Sequence, residues 1–75
     1  MKTTIIDLKF GEKGLILNYD KDLIPLKLVE MGCIEGNEIC LVKVTTLKDP
    51  IYININDTFM AIRRNMAQAV EIKII

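Results

Sequence analysis

The stretch IYININ, residues 51–56, constrains the fold more than any other part of the chain. Isoleucine occupies every second position, Ile51, Ile53 and Ile55, and Tyr or Asn fills the positions between them. Strict alternation of this kind is typical of a strand with one buried and one solvated face. Other short strand-like runs are separated by Gly, Asn, Asp and Pro, which favours a small barrel or sandwich over a helical bundle.

The length of 75 residues limits the chain to one domain, residues 1–75. A chain of this size buries only about 60% of its unfolded surface when it folds. Its 51% content of hydrophobic residues suits that demand, and because aromatic residues make up only 5%, the core must be aliphatic.

The first half of the chain predicts a strand, a short helix and a second strand. Residues 15–19, LILNY, read as a strand that follows a turn at residues 11–14, and residues 38–46, EICLVKVTT, read as the next strand. The helix falls within residues 20–32, with Asp20 or Asp22 as its N-cap, Pro25 near its start and Gly32 at its end.

The second half predicts a loop, LKDP, then the strand of alternating isoleucines, a helix and a last strand. Residues 57–68, DTFMAIRRNMAQ, read as the helix, capped by Asp57 or Thr58. Its apolar stripe would consist of Phe59, Ile62 and Met66. The final strand, AVEIKII, would turn Val70, Ile72 and Ile74 inward.

The chemical inventory argues against an enzyme. The chain contains no histidine, which removes the commonest general base and the commonest metal ligand. Six residues separate Cys33 from Cys40, whereas structural zinc sites usually pair ligands with two to four residues between them and need four donors. We interpret both thiols as packing residues and keep a metal-ligand or redox role as the alternative. The sequence predicts no catalytic residue, no metal site and no cofactor.

The charges are balanced, with ten basic and ten acidic residues. This balance argues against nucleic acid as a partner, because such binding depends largely on a basic surface. No apolar run approaches the roughly 20 residues needed to span a bilayer. The N-terminal residues lack the apolar core of a signal peptide, so we expect a cytoplasmic protein that does not insert into the membrane.

The order of these segments resembles the FeoA family, small cytosolic proteins associated with bacterial ferrous iron uptake. The segments that carry the resemblance are LIPLKLVEMG, CIEGNEICL, TLKDPIYININ and FMAIRRNMAQAVEIKI, and the resemblance as a whole extends over residues 6–74. The strongest part is Asp49-Pro50 with the isoleucines that follow, and then Ala61-Ile62-Arg63.

Three positions depart from the family pattern. The usual arginine in the first helix is Lys27, which keeps the charge and loses the planar donor fork. The hydrophobic residue after the helix glycine is Cys33, in keeping with a packing role, and the glycine before Asp49 is Lys48.

The resemblance implies a mainly β fold, a small SH3-like β-barrel with one or two short helices. It also implies a non-enzymatic accessory protein that binds the cytosolic part of a FeoB-type transporter and modulates its activity. Because SH3-like barrels bind peptides in grooves between loops, we expect the partner site beside the first helix. The candidate partner-binding residues are Lys27, Leu28, Met31, Arg63 and Arg64, although core packing is the alternative for Leu28 and Met31.

Three alternatives remain. The same barrel resembles the C-terminal domain of iron-dependent repressors, so the chain could be a metal-responsive regulator or an iron-binding domain. A nucleic-acid-binding barrel is disfavoured by the neutral charge and by the presence of only four aromatic residues. An open strand edge would allow a homo-oligomer.

Overall fold

The computed structural model describes residues 2–44 and 49–75. Five strands form one antiparallel sheet in the order β4-β3-β2-β1-β5. The strands are β1 (Lys13–Tyr19), β2 (Glu38–Val44), β3 (Ile51–Ile55), β4 (Thr58–Ile62) and β5 (Val70–Ile74). A 3-10 helix (Ile5–Asp7) precedes them, and two short helices, α1 (Leu26–Glu30) and α2 (Arg64–Ala67), lie between strands. The mainly β prediction with two short helices is confirmed.

Two irregularities interrupt the sheet's register. One lies between Ile16 and Asn18, where β1 pairs with β5, and the other between Leu41 and Lys43, where β2 pairs with β3. An extra residue on one strand bends that strand and increases the local twist. We attribute the curvature of this small sheet around its core to these two positions.

The core is aliphatic, as the composition predicts. Ile51, Ile53 and Ile55 are all buried, which confirms the buried face of the alternating strand. The largest fully buried side chains come from every strand, from the 3-10 helix and, for Cys33, from the turn after α1: Ile5, Ile16, Ile39, Ile53, Ile55, Ile62, Ile72, Val70 and Cys33.

The last strand differs from the prediction at its end. Val70 and Ile72 are buried, but Ile74 is 41% exposed. Ile74 is the final residue of β5 and pairs with Gly14, which has no side chain to cover it. The prediction of an inward Ile74 was therefore wrong.

Helix α1 is shorter than predicted and is not capped by Asp20 or Asp22. Pro25 is the N-cap, in an extended conformation, and no side chain caps the helix. The residue before a proline is disfavoured in the helical region, so the helix begins after Pro25. Asp20 instead closes a turn, where its carboxylate accepts a hydrogen bond of 2.9 Å from the Asp22 N–H.

The end of α1 follows the prediction and is fixed to the sheet. Gly32 has a φ of +114°, and the N–H groups of Cys33 and Gly32 donate to the carbonyls of Leu28 and Val29, as in a Schellman motif. The Gly32 carbonyl accepts a 2.7 Å hydrogen bond from Asn37 Nδ2. A Cβ at Gly32 would lie 3.3 Å from the Ile55 side chain, so the helix end sits tightly against the β3–β4 hairpin.

The predicted helix over residues 57–68 was wrong for its first half. Asn56 and Asp57 have φ values of +52° and +63° and form a two-residue turn between Ile55 and Thr58. Asn and Asp tolerate this left-handed conformation, which matches the twist of a hairpin. Residues 58–62 are therefore strand β4, and only Arg64–Ala67 is helical. Phe59 is 70% exposed rather than part of a buried helix stripe.

The N-terminal residues lie along β5. Thr4 forms a bridge to Glu71, and the Thr3 carbonyl accepts a 2.8 Å hydrogen bond from the Ile72 N–H. β5 thus has β1 on one side and this segment on the other. The end of the predicted strand at residues 45–46 and the first two residues of the predicted loop lie outside the described residues.

Candidate functional site

An open groove of about 480 Å³ lies between helix α1 and strand β4. One wall comes from α1 and the proline before it, the other from β4, and the residues after β4 close one end. Its lining residues are Pro25, Lys27, Leu28, Met31, Phe59, Met60, Ala61, Arg63 and Met66.

The groove brings together four of the five residues expected at a partner site. Lys27, Leu28 and Met31 come from the α1 side, and Arg63 joins them from the end of β4. Arg64 does not line the groove. It is the first residue of α2, and its backbone N–H donates to Asp49 Oδ1 at 3.0 Å.

Leu28, Met31 and Met66 are half-buried and pack against the hydrophobic core while they line the groove. Leu28 and Met31 therefore pack against the core and also line the groove, and their role in partner binding stays a prediction. Methionine is flexible and polarizable, so it can fit side chains of different shape. The floor of the groove is apolar and adaptable.

Sequence reasoning missed the β4 wall, because it assigned these residues to a helix. Phe59, Met60 and Ala61 are consecutive, and all three line the groove. The missed signal was the Asn56-Asp57 pair, a two-residue turn between two runs that alternate in the same register.

Two cationic side chains, Lys27 and Arg63, line the groove. The Arg63 side chain is 72% exposed, and its Nη1 lies 3.8 Å from Asp49 Oδ2. An exposed pair at this distance holds the guanidinium weakly. Asp49 has a second role, because its other oxygen accepts the Arg64 N–H and so caps α2 in place of a local N-cap side chain. The lining residues offer apolar contacts and positive charge, a combination that suits binding of a protein segment.

The two thiols differ in environment. Cys33 is buried, and burial raises the pKa of its thiol, which disfavours the thiolate that would bind a metal. Cys40 is half-buried on β2, opposite Lys13 of β1. Within residues 2–44 and 49–75, no three Cys, Asp or Glu side chains come together as a metal site would require.

Two further clefts, of about 430 and 440 Å³, are lined mainly by polar side chains. One lies beside Asn18, Asp20 and Gln68, and the other beside Asn37 and Asn54. Both lack the apolar floor of the groove. In the part of the chain that the structure describes, no helix is long and apolar enough to cross a bilayer.

The curved five-stranded sheet with short helices is an SH3-like domain. A FeoA from Stenotrophomonas maltophilia, solved in complex with zinc and described as a procaryotic SH3 domain protein, has the same fold. It matches with a TM-score of 0.80 over 95% of this chain and 89% of its own, at 21% identity. The solution structure of FeoA from Chlorobium tepidum gives a TM-score of 0.87 over 100% of this chain and 70% of its own, at 25% identity.

The family model for the FeoA domain matches residues 3–74, so the chain belongs to the FeoA family, whose domains are involved in ferrous iron transport. A curated relative from Porphyromonas gingivalis is 29% identical over 70 residues, which is 92% of this chain. That relative is an Fe(2+) transport protein A/Fe(2+) transporter FeoB fusion protein, and this chain spans only 8% of its length.

Proposed function

We propose that the chain is a non-enzymatic accessory protein of bacterial ferrous iron uptake, which binds the cytosolic part of a FeoB-type transporter and modulates its activity. The observation that carries the proposal is the Porphyromonas gingivalis relative, in which a homologous domain and a FeoB transporter are one polypeptide. Domains that are fused in one species are held together at high effective concentration, and separate chains need an interface to achieve the same association.

The groove between α1 and β4 supports this role as the interface. It has an exposed aromatic residue, Phe59, beside an apolar floor, and positive charge from Lys27 and Arg63. Aromatic and arginine side chains around an apolar centre are typical of residues that dominate binding energy. The surrounding charges would speed and orient the encounter with an acidic surface.

The experiment is a binding measurement between this chain and the cytosolic region of a FeoB-type transporter, with and without nucleotide. We expect association that Lys27→Glu weakens by about tenfold, because the substitution reverses a charge at the groove. Lys73→Glu is the matched control, since Lys73 is exposed on β5 and does not line the groove. The absence of association under both conditions would overturn the proposal.

Modulation is tested separately by ferrous iron uptake through the same transporter in cells with and without this chain. We expect different rates, and Lys27→Glu should move the rate toward that of cells without the chain. If the chain binds the transporter but uptake rates are equal with and without it, modulation is not part of its role.

A further inference from the structure

Strand β4 has hydrogen-bonding groups that point away from the sheet. Its hairpin turn has two residues, so Ile55 and Thr58 on either side of the turn bond to each other. Bonding direction alternates along an antiparallel strand, which directs the N–H and C=O groups of Phe59 and Ala61 to the outer edge. Among the hydrogen bonds of the described residues, none outside the strand pairing reaches these groups.

The groove follows this edge. Met60 faces the core, whereas Phe59 and Ala61 point to the opposite face of β4, yet all three line the groove. Successive residues of a strand point to opposite faces, so a groove that touches three in a row must run along the edge. The free backbone groups and the apolar floor therefore belong to one surface.

The charge at this surface favours an acidic occupant. Lys27 and Arg63 line the groove, and none of its lining residues is acidic. A second copy of the chain placed edge to edge would bring the same cations from both copies together, which is unfavourable. An extended segment that alternates apolar and acidic residues would send apolar side chains to Leu28 and Met31 and carboxylates to the cations.

We infer that the groove binds an extended, apolar and acidic segment of the partner as a sixth strand on the outer edge of β4, bonded to the backbone of Phe59 and Ala61. The inference rests on the proposed function, which supplies the partner, and it adds how the partner is recognised. In strand addition of this kind, main-chain hydrogen bonds give affinity and alternate side chains give specificity.

The test uses the full chain and a blocked peptide of about six residues in which valine and glutamate alternate, roughly the length of a typical strand. We expect the peptide to slow hydrogen exchange at the amides of Phe59 and Ala61 by at least about tenfold, because both become hydrogen bonded. The amide of Met60, already bonded to β3, is the internal reference. Peptide binding without slower exchange at Phe59 and Ala61 would overturn the inference.

A matched pair of variants tests the backbone bond directly. Ala61→Pro removes the outward N–H and is tolerated at an edge strand, whereas Ala61→Val keeps the N–H and adds similar bulk. We expect Ala61→Pro to weaken peptide binding about tenfold relative to Ala61→Val. Equal affinities would contradict strand addition, and if Ala61→Pro does not fold, the exchange measurement on the unaltered chain decides.

Two further outcomes identify a different occupant. Equal binding of a peptide that alternates valine and lysine would overturn the acidic partner. Concentration-dependent slowing of the Phe59 and Ala61 amides without peptide would show that a second copy occupies the edge.

The same variants separate this inference from the proposed function. If the transporter region binds and Lys27→Glu weakens it, but Ala61→Pro and Ala61→Val bind it equally, strand addition fails and the proposed function stands. If the valine–glutamate peptide binds as expected and the transporter region does not, the proposed function fails and the edge remains a peptide site.

Discussion

The two edge strands of the sheet differ in how they are covered. β5 is bonded to β1 on one side, and on the other the N-terminal segment forms a bridge at Thr4 and accepts the Ile72 N–H at Thr3. β4 is bonded to β3 on one side, and its other side faces the groove. Exposed strand edges promote unwanted pairing, and proteins usually cover or blunt them.

This asymmetry favours β4 over β5 as the strand to which we propose that a partner adds. One edge is closed by the chain's own residues, and the other combines an apolar floor and two cations with backbone groups that, among residues 2–44 and 49–75, no hydrogen bond outside the strand pairing reaches.

The largest effect is expected from Ile72→Ala in β5. Ile72 is 2% exposed, so truncation leaves a cavity that costs about 3 kcal/mol in the free energy of unfolding. Ile74→Ala on the same strand is the control, with an expected cost below about 1 kcal/mol because Ile74 is 41% exposed. Denaturant unfolding measures both, and similar costs would contradict the description of how β5 is held.

The contrast between the edges is measured most directly by hydrogen exchange in the free chain. The Ile72 amide is bonded to Thr3, whereas the Ala61 amide faces the groove. We expect Ala61 to exchange about a hundredfold faster than Ile72, after correction for sequence. Deletion of residues 1–3 should raise the exchange rate of the Ile72 amide and leave that of the Ala61 amide unchanged. Comparable exchange rates for the two amides in the intact chain would contradict the difference between the two edges.

Gly14→Ala tests how closely β1 and β5 approach. A Cβ at Gly14 would lie 2.7 Å from Ile72 Cδ1 and 3.5 Å from Ile39 Cγ2, so the buried Ile72 side chain must move. We expect a loss of about 2 kcal/mol in the free energy of unfolding.

Ile72→Val is the control for Gly14→Ala, because it removes Cδ1, the atom that a Cβ at position 14 would meet. The double variant should lose less than the sum of the two single losses. Additive losses would show that this contact does not limit the approach of the two strands.

The smallest effect is expected from Asp49→Ala beside the open edge. The substitution removes the acceptor for the Arg64 N–H and the weak pair with Arg63. The expected loss is about 1 kcal/mol, typical of a lost helix cap. Asp49→Asn keeps an acceptor oxygen and should recover most of the lost stability. If Asp49→Asn and Asp49→Ala lower the stability equally in thermal unfolding, the charge of Asp49 rather than its capping role matters.

The sequence predicted the parts of the fold that depend on alternation and on helix termination. The isoleucines of β3 and Gly32 at the end of α1 behave as expected, because burial of one strand face and a left-handed helix terminus leave strong local signals. The hairpin at Asn56 and Asp57 was missed, since Phe59, Ile62 and Met66 also fit helical spacing and Asp57, part of the turn signal, was interpreted as a helix cap.

The candidate site was predicted in part. Lys27, Leu28 and Met31 came from helix spacing and from the family resemblance, and Arg63 was chosen for its charge. Phe59 could not be placed while its segment was assigned to a helix, and the closeness of β4 to α1 depends on long-range pairing. Arg64 was also expected at the partner site for its charge, but it is the first residue of α2 and is not among the residues that line the groove.

The attachment of α1 to the β3–β4 hairpin has a consequence for affinity. Gly32 lies close to Ile55, the last residue of β3 before the turn to β4, and Asn37 donates a hydrogen bond to the Gly32 carbonyl, so the end of the helix wall is fixed to the sheet beside the strand wall. A receptor whose walls are already spaced loses little conformational freedom when it is filled. Differences in strength between one incoming segment and another should then arise from the composition of the segment rather than from rearrangement of this domain.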